Sequence, residues 1–303
     1  MSSLLQRVFL AVFVVIDVIL IVGAVRHVNG TPPSADMPQA ASATTTASPE
    51  PADALPASDD STTQLPFDFN ASEAVALGSA NDGTVVYGTR GRCSDPAAPV
   101  QVSTDGGADF APTQTGLTTT LAVRAKSAKS ITVVGTTADC KVQQLESTNG
   151  GSSWAAADKI DLWYPAPDDA ETVVTPTGAS KPGEGCIVTS VSQVTTESGR
   201  VSCADGTIRG SGNNGKQWVQ LGRLDNVRVS AFLTPSAGFA LARYSGCAAN
   251  AFTTTDGGVT WTPGGCISGE SAQAISATTN GLAAVVAGET FASTDNGQTW
   301  MQP

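Results

Sequence analysis

One eight-residue pattern, Ser/Thr-x-Asp/Asn-x-Gly-x-x-aromatic, recurs five times, and any fold for this chain must repeat with it. The copies begin with Ser103-Thr-Asp105-Gly-Gly107-Ala-Asp-Phe110 and Ser147-Thr-Asn149-Gly-Gly151-Ser-Ser-Trp154. They continue with Ser211-Gly-Asn213-Asn-Gly215-Lys-Gln-Trp218, Thr254-Thr-Asp256-Gly-Gly258-Val-Thr-Trp261 and Ser293-Thr-Asp295-Asn-Gly297-Gln-Thr-Trp300. Each position has a physical reason. Asp or Asn folds its side chain onto backbone N–H groups of a turn, and Ser or Thr does so more weakly. Glycine at the fifth place supplies positive φ. The aromatic opens the next strand and can bury its ring between neighbouring units. These residues are therefore expected to be structural, and an acid repeated in such a turn is not read as catalytic.

The pattern is the Asp box, or BNR repeat. From about residue 65 onward the chain resembles Asp-box β-propellers, a group that includes sialidases, sortilin-type receptors and the Ycf48/HCF136-like assembly factors. The resemblance implies an all-β propeller with each box between the third and fourth strands of a blade, on the face away from the usual ligand site. Distances between boxes are 44, 64, 43 and 39 residues, and a blade of four short strands needs about 40–45. The intervals read as strands: 229–233, 238–242 and 249–253 in one unit, 272–277, 282–287 and 290–293 in the next. In the 64-residue interval the regular part is 187–194, 200–203 and 207–211. About 20 residues remain, roughly 159–185. The spacing predicts five blades with one long insertion there; six blades, with a degenerate one in that segment, is the alternative.

The rest of the chain has a different composition. Val8 to Val25 is an apolar run broken only by Asp17. At 1.5 Å per residue it spans about 27 Å, close to the hydrocarbon thickness. The following Arg26-His27-Val28-Asn29 is a poor cleavage site. Residues 1–28 are therefore expected to be a cytoplasmic tip and an uncleaved signal anchor, making a single-pass protein of the cell membrane with its C-terminal domain extracytoplasmic. An acid at the depth of Asp17 is costly and often has a partner in the membrane. Residues 29–64 are rich in Pro, Ala, Ser and Thr without hydrophobic periodicity, which predicts a flexible stalk. Residues 65–303 form the expected propeller. Sequons occur at Asn29 and Asn70.

Six cysteines, Cys93, Cys140, Cys186, Cys203, Cys247 and Cys266, all fall in the propeller region. None makes a CxxC or Cys/His metal pattern, and the one histidine, His27, lies outside it. No metal and no cofactor is expected; the even count reads as disulfides in an oxidising compartment. On blade topology the cysteines lie in loops of one face, which favours Cys93–Cys140, Cys186–Cys203 and Cys247–Cys266 among the 15 pairings that six cysteines allow.

Charge narrows the partners. Of 27 acids and 16 bases, six and two fall in residues 1–65, leaving 21 and 14, a net of −7. Such a domain has no electrostatic footing on phosphate backbones, so nucleic acid is not an expected partner. Without histidine in the propeller region, no Ser-His-Asp or Cys-His arrangement can form there. A sialidase would bring three arginines, a Tyr–Glu pair and an Asp. The expected domain start, Leu65-Pro-Phe-Asp-Phe-Asn70, holds no arginine, and only Tyr87, Tyr164 and Tyr244 are available. Asp168, Asp169, Glu171 and Glu184 are the clustered acids, read as a solvated loop.

The protein is therefore expected not to be an enzyme but a protein-binding scaffold or assembly factor of the cell envelope. Its partner would be an envelope or membrane protein. A module for cell-wall glycan is the alternative, and a sialidase-like glycoside hydrolase a more distant one. Candidate binding residues on the cysteine-bearing face and the insertion are Trp163, Tyr164, Arg90, Arg92, Arg243 and Tyr244; for Trp163 the alternative is that it packs the insertion onto the propeller.

Overall fold

The computed structural model describes residues 74–270 and 272–303. The expected anchor, Asp17, the stalk, both sequons and the stretch 65–73 lie outside the described residues.

Alternating β-branched and small residues between glycine turns give 22 strands in six antiparallel sheets. Blade 1 holds β1 (Val75–Ser79), β2 (Val85–Thr89), β3 (Val100–Ser103) and β4 (Ala111–Thr113). Blade 2 holds β5 (Thr119–Ala125), β6 (Ile131–Thr136), β7 (Val142–Ser147) and β8 (Ala155–Ala156). Blade 3 has three strands, β9 (Tyr164–Pro165), β10 (Val173–Thr175) and β11 (Gly178–Ser180). Blade 4 holds β12 (Val188–Gln193), β13 (Gly199–Cys203), β14 (Thr207–Ser211) and β15 (Val219–Arg223). Blade 5 holds β16 (Val227–Phe232), β17 (Gly238–Tyr244), β18 (Cys247–Thr254) and β19 (Thr262–Ile267). Blade 6 holds β20 (Ala272–Thr278), β21 (Gly281–Val286) and β22 (Glu289–Ser293), with a fourth strand reduced to one bridge, Ala292 to Met301.

The first strands pack in a closed cycle: β1 on β5, β5 on β9, β9 on β12, β12 on β16, β16 on β20, and β20 back on β1. The described residues thus form a six-bladed propeller. This corrects the expectation of five blades in favour of the six-bladed alternative, with the degenerate blade in the segment foreseen for it. The segment set aside as an insertion supplies blade 3, whose inner strand is only two residues long. Pro165 and Pro167 cannot donate to a ladder, and no box marks this blade, so its period was hidden. The other strands expected in the last three units agree with those observed to within two residues.

Each interface between blades has its own apolar cluster. Val86, Val100, Leu117, Ile131 and Val133 join blades 1 and 2; Leu121, Val134, Leu162 and Tyr164 join blades 2 and 3. Trp163, Val173, Val188 and Val201 join blades 3 and 4, and Ile208, Val227, Phe232 and Phe252 join 4 and 5. Leu241, Ile267, Ile275 and Leu282 join 5 and 6, and Val75, Ala274 and Val285 close the ring. Full burial of one such side chain is worth roughly 1.5–3 kcal/mol, so every interface, including the closing one, carries part of the stability.

The innermost strands present sheet edges to the axis, where unpaired N–H groups would be costly. Serines of one blade cover those of the next. Ser230 N–H donates to Ser190 Oγ at 2.9 Å, Phe232 N–H to Ser192 Oγ at 2.8 Å, and Ser79 N–H to Ser276 Oγ at 3.0 Å.

Candidate functional site

The two faces of the ring are built differently. On one lie the five Asp/Asn turns, each between the third strand of its blade and the fourth strand or stub, and all five make the same bonds. The first-position hydroxyl accepts from the glycine N–H at 2.8–3.0 Å, in Ser103–Gly107, Ser147–Gly151, Ser211–Gly215, Thr254–Gly258 and Ser293–Gly297. The same hydroxyl donates to Asp105, Asn149, Asn213, Asp256 or Asp295. That side chain in turn accepts the N–H four residues on. All five glycines have positive φ, from 76° to 100°.

The turns also dock blade on blade. A side chain at Gly151 would meet Thr113 of blade 1, at Gly215 would meet Thr175 and Ser180 of blade 3, and at Gly107 would approach Pro303 of blade 6. Conversely, a Cβ on Gly222 of blade 4 would lie 2.0 Å from Gly258 O, and Gly265 N–H of blade 5 donates to Gly297 O at 2.7 Å. The aromatics follow suit. Trp154, Trp218, Trp261 and Trp300 pack into the cluster shared with the preceding blade, and Phe110 meets Tyr87 edge-on at 4.9 Å. This face is committed to holding the ring together.

Hydrogen bonds to carboxylates have a consequence for pH. The Thr260 hydroxyl and N–H hold Asp256 at about 2, and those of Thr299 do the same for Asp295. Both values are depressed below the ordinary 3.8, so the stabilisation is complete above that value and disappears as pH falls through about 2. Thermal melting should be insensitive to these turns down to about pH 4 and then decline. Changing Asp256 and Asp295 together to Asn, which serves at positions 149 and 213, should flatten the decline; an unchanged profile would remove these carboxylates as its cause.

The opposite face carries the cysteines. Disulfides link Cys93 to Cys140, Cys186 to Cys203 and Cys247 to Cys266. The first joins the β2–β3 loop of blade 1 to the β6–β7 loop of blade 2 and so spans two blades. The second ties the start of β12 to the end of β13, and the third ties β18 to β19, each within a blade.

Trp163 and Tyr164 do not lie on this face as exposed rings. Trp163 is 2% exposed and Tyr164 6%. Trp163 meets Trp218 edge-on at 6.0 Å, donates its indole N–H to Thr196 O at 3.3 Å, and fills the space beside Gly199. This is the packing alternative for Trp163 rather than the binding one: as part of blade 3 both rings are core. Tyr244 is different: at 55% exposure it stands out from the end of β17 beside exposed Arg243. Arg92 is also exposed, and its N–H is held by Asp95 at 2.8 Å. The clustered acids are surface groups: Lys181 bridges Glu171 at 3.0 Å and Asp169 at 3.6 Å, while Asp168 and Glu184 are exposed. Among the described residues no group of three or more His, Cys, Asp or Glu could hold a metal ion.

A cavity of about 240 Å³ runs along the ring axis. Its wall is made by the first strands and includes Ser79, Ser190, Ser192, Ser230, Ser276, Gln193, Gln273, Arg90 and Arg124, with no Asp or Glu. Arg124 belongs to the Asp-turn end, since it lies near the close of β5. It meets Asp161 at 3.2 Å and Gln193 Oε1 at 2.8 Å, so its charge is answered. Arg90 belongs to the disulfide end. It follows β2 and its N–H donates to Ala74 O at 2.9 Å. Its Nε is enclosed with no hydrogen-bond partner, and burial pushes its guanidinium down to about 10. It stays charged at neutral pH, and as a residue it is half-buried in the cavity wall. Arg90 was legible as a residue after a second strand. The serines and Arg124, Asp161 and Gln193 were not, because only ring closure brings them together.

No protein-family model matches the chain, and no curated protein does. Several solved propellers are similar in fold. YCF48 bound to D1 peptide is 16% identical over 80% of this chain and 75% of that one, with a TM-score of 0.28. The SapL1 lectin in complex with alpha methyl fucoside is 12% identical over 76% and 95%, at 0.47. The fucose-specific lectin from Aleuria aurantia is 14% identical over 75% and 93%, at 0.46.

Proposed function

We propose that this chain is a membrane-anchored, extracytoplasmic propeller that works without catalysis, holding one envelope or membrane protein on its disulfide-bearing face as a scaffold or assembly factor. The observation behind this reading is the asymmetry of the two faces. The Asp/Asn turns spend their polar groups on one another and on the next blade. The disulfide-bearing face keeps Arg92, Arg243 and Tyr244 exposed and Arg90 unpaired at its centre. Loops that are held rigid and still carry free polar and aromatic groups are where binding is usually found, while fold alone decides nothing about function.

The test is in-cell photocrosslinking of the full-length chain from position 244, with position 255 on the opposite face as reference. One dominant envelope protein captured from 244 and absent from 255 is the expected result. Capture of wall polysaccharide alone would replace the scaffold reading with the glycan-binding one, and equal capture from both positions would end the assignment of this face.

A further inference from the structure

We infer that the axial cavity is a receptor for a single carboxylate group, entered from the disulfide-bearing face and bound by Arg90. The inference rests on the binding role proposed for that face and adds the chemistry of what enters it.

The chain is acidic overall, with a formal net charge of −11, yet its axial cavity has two arginines and no acid in its wall. One of the two is already matched: Arg124 faces Asp161 and Gln193. Among the described residues the Arg90 guanidinium has no ion-pair partner, and its Nε has no hydrogen-bond partner. Leaving a cation enclosed and unpaired costs stability, and the group is normally paired or replaced. A planar guanidinium matches the two oxygens of a carboxylate in a fork of parallel hydrogen bonds. One unmatched positive charge balances one negative charge, which fits a carboxylate better than a doubly charged phosphate. Deeper in, the Gln193 amide and the axial serines are already engaged with Arg124, Asp161 and one another, so Arg90 is the group that would meet an entering anion. At about 240 Å³ the cavity is smaller than the roughly 300–1,000 Å³ of pockets that enclose drug-sized ligands. It therefore suits a small carboxylic acid, or the acidic side chain of a docked protein whose bulk stays outside.

The experiment follows thermal melting of the full-length chain in sodium acetate against sodium chloride at equal ionic strength, and in N-acetylglutamic acid α-amide, which offers one side-chain carboxylate. A ligand bound only by the folded state raises the melting temperature as its concentration passes its dissociation constant. The expected result is a rise of several degrees with carboxylate and none with chloride. The rise should be lost in Arg90→Gln, reduced in Arg90→Lys, and kept in Lys126→Gln, an exposed charge near the other face. Arg90→Gln removes an unpaired cation and should melt no lower than the wild type. A stronger response to the glutamate derivative assigns the site to a protein side chain, and a stronger response to acetate to a free acid. No response to either carboxylate, or one that survives Arg90→Gln, overturns the inference. Crosslinking from position 244 is a separate readout, so the scaffold reading can fail while the carboxylate response stands.

Discussion

Replacing Cys93 and Cys140 together by serine should lower the stability of the propeller by about 4 kcal/mol in the chain-entropy account of cross-links. The bridge closes 47 residues and spans two blades. The Cys186–Cys203 bridge closes 17 and stays inside one blade, for which the same account gives about 3 kcal/mol. Urea titration of the oxidised variants should show a lower midpoint and a steeper slope, because the unfolded chain without its cross-link exposes more surface. A total stability of about 5–15 kcal/mol is ordinary for a folded domain. Loss of all three bridges would therefore remove much of what holds this one together, and reduction should convert its melting into a broad transition or abolish it. If the two-blade bridge proves less important than the one within blade 4, the ring must already be closed in the unfolded ensemble, and the entropic account fails for it.

Changing Trp163 to Ala should cost about 3–5 kcal/mol, the range for emptying a large aromatic site in a core. The ring is 2% exposed, packs among Val173, Val188 and Val201, and meets Trp218 edge-on. Tyr244→Ala, by contrast, removes a ring that is 55% exposed and meets Phe252 edge-on at 5.6 Å, and should cost about 1 kcal/mol. Equilibrium unfolding separates the two variants, and crosslinking from a neighbouring position then asks which affects capture of a partner. A Trp163→Ala protein that is as stable as the wild type but captures nothing would overturn its assignment to the interface of blades 3 and 4.

Much of this architecture was legible because the turns are local. A hydroxyl at the first place, Asp or Asn at the third and glycine at the fifth satisfy one another within eight residues. Five copies could therefore be recognised without knowing what they pack against. The cysteines were legible for a related reason: each sits beside a strand end, and strand ends alternate between two faces. Blade 3 was legible only as the six-bladed alternative, with a degenerate blade in the 159–185 segment. Its inner strand is Tyr164–Pro165, too short for a period to show, and it exists because blades 2 and 4 leave an apolar gap that Leu162, Trp163 and Tyr164 fill. Without that gap the same aromatics fit either packing or exposed binding, and only the gap decides for packing.

What the residues determined by themselves is the repeating unit: a β-hairpin closed by side-chain-to-backbone bonds, with its glycine at positive φ and its aromatic at the next strand. Those interactions span a few residues and hold wherever the segment is placed. What only the tertiary structure decided is the number of units and the character of the axis. Ring closure depends on how six inner strands share one circumference. It brings Ser190 to Ser230, Ser276 to Ser79 and Arg124 to Asp161, and among the described residues it leaves the Arg90 guanidinium without a counter-charge. No pattern along the chain encodes that last fact, because an unpaired charge is defined by every group that fails to reach it.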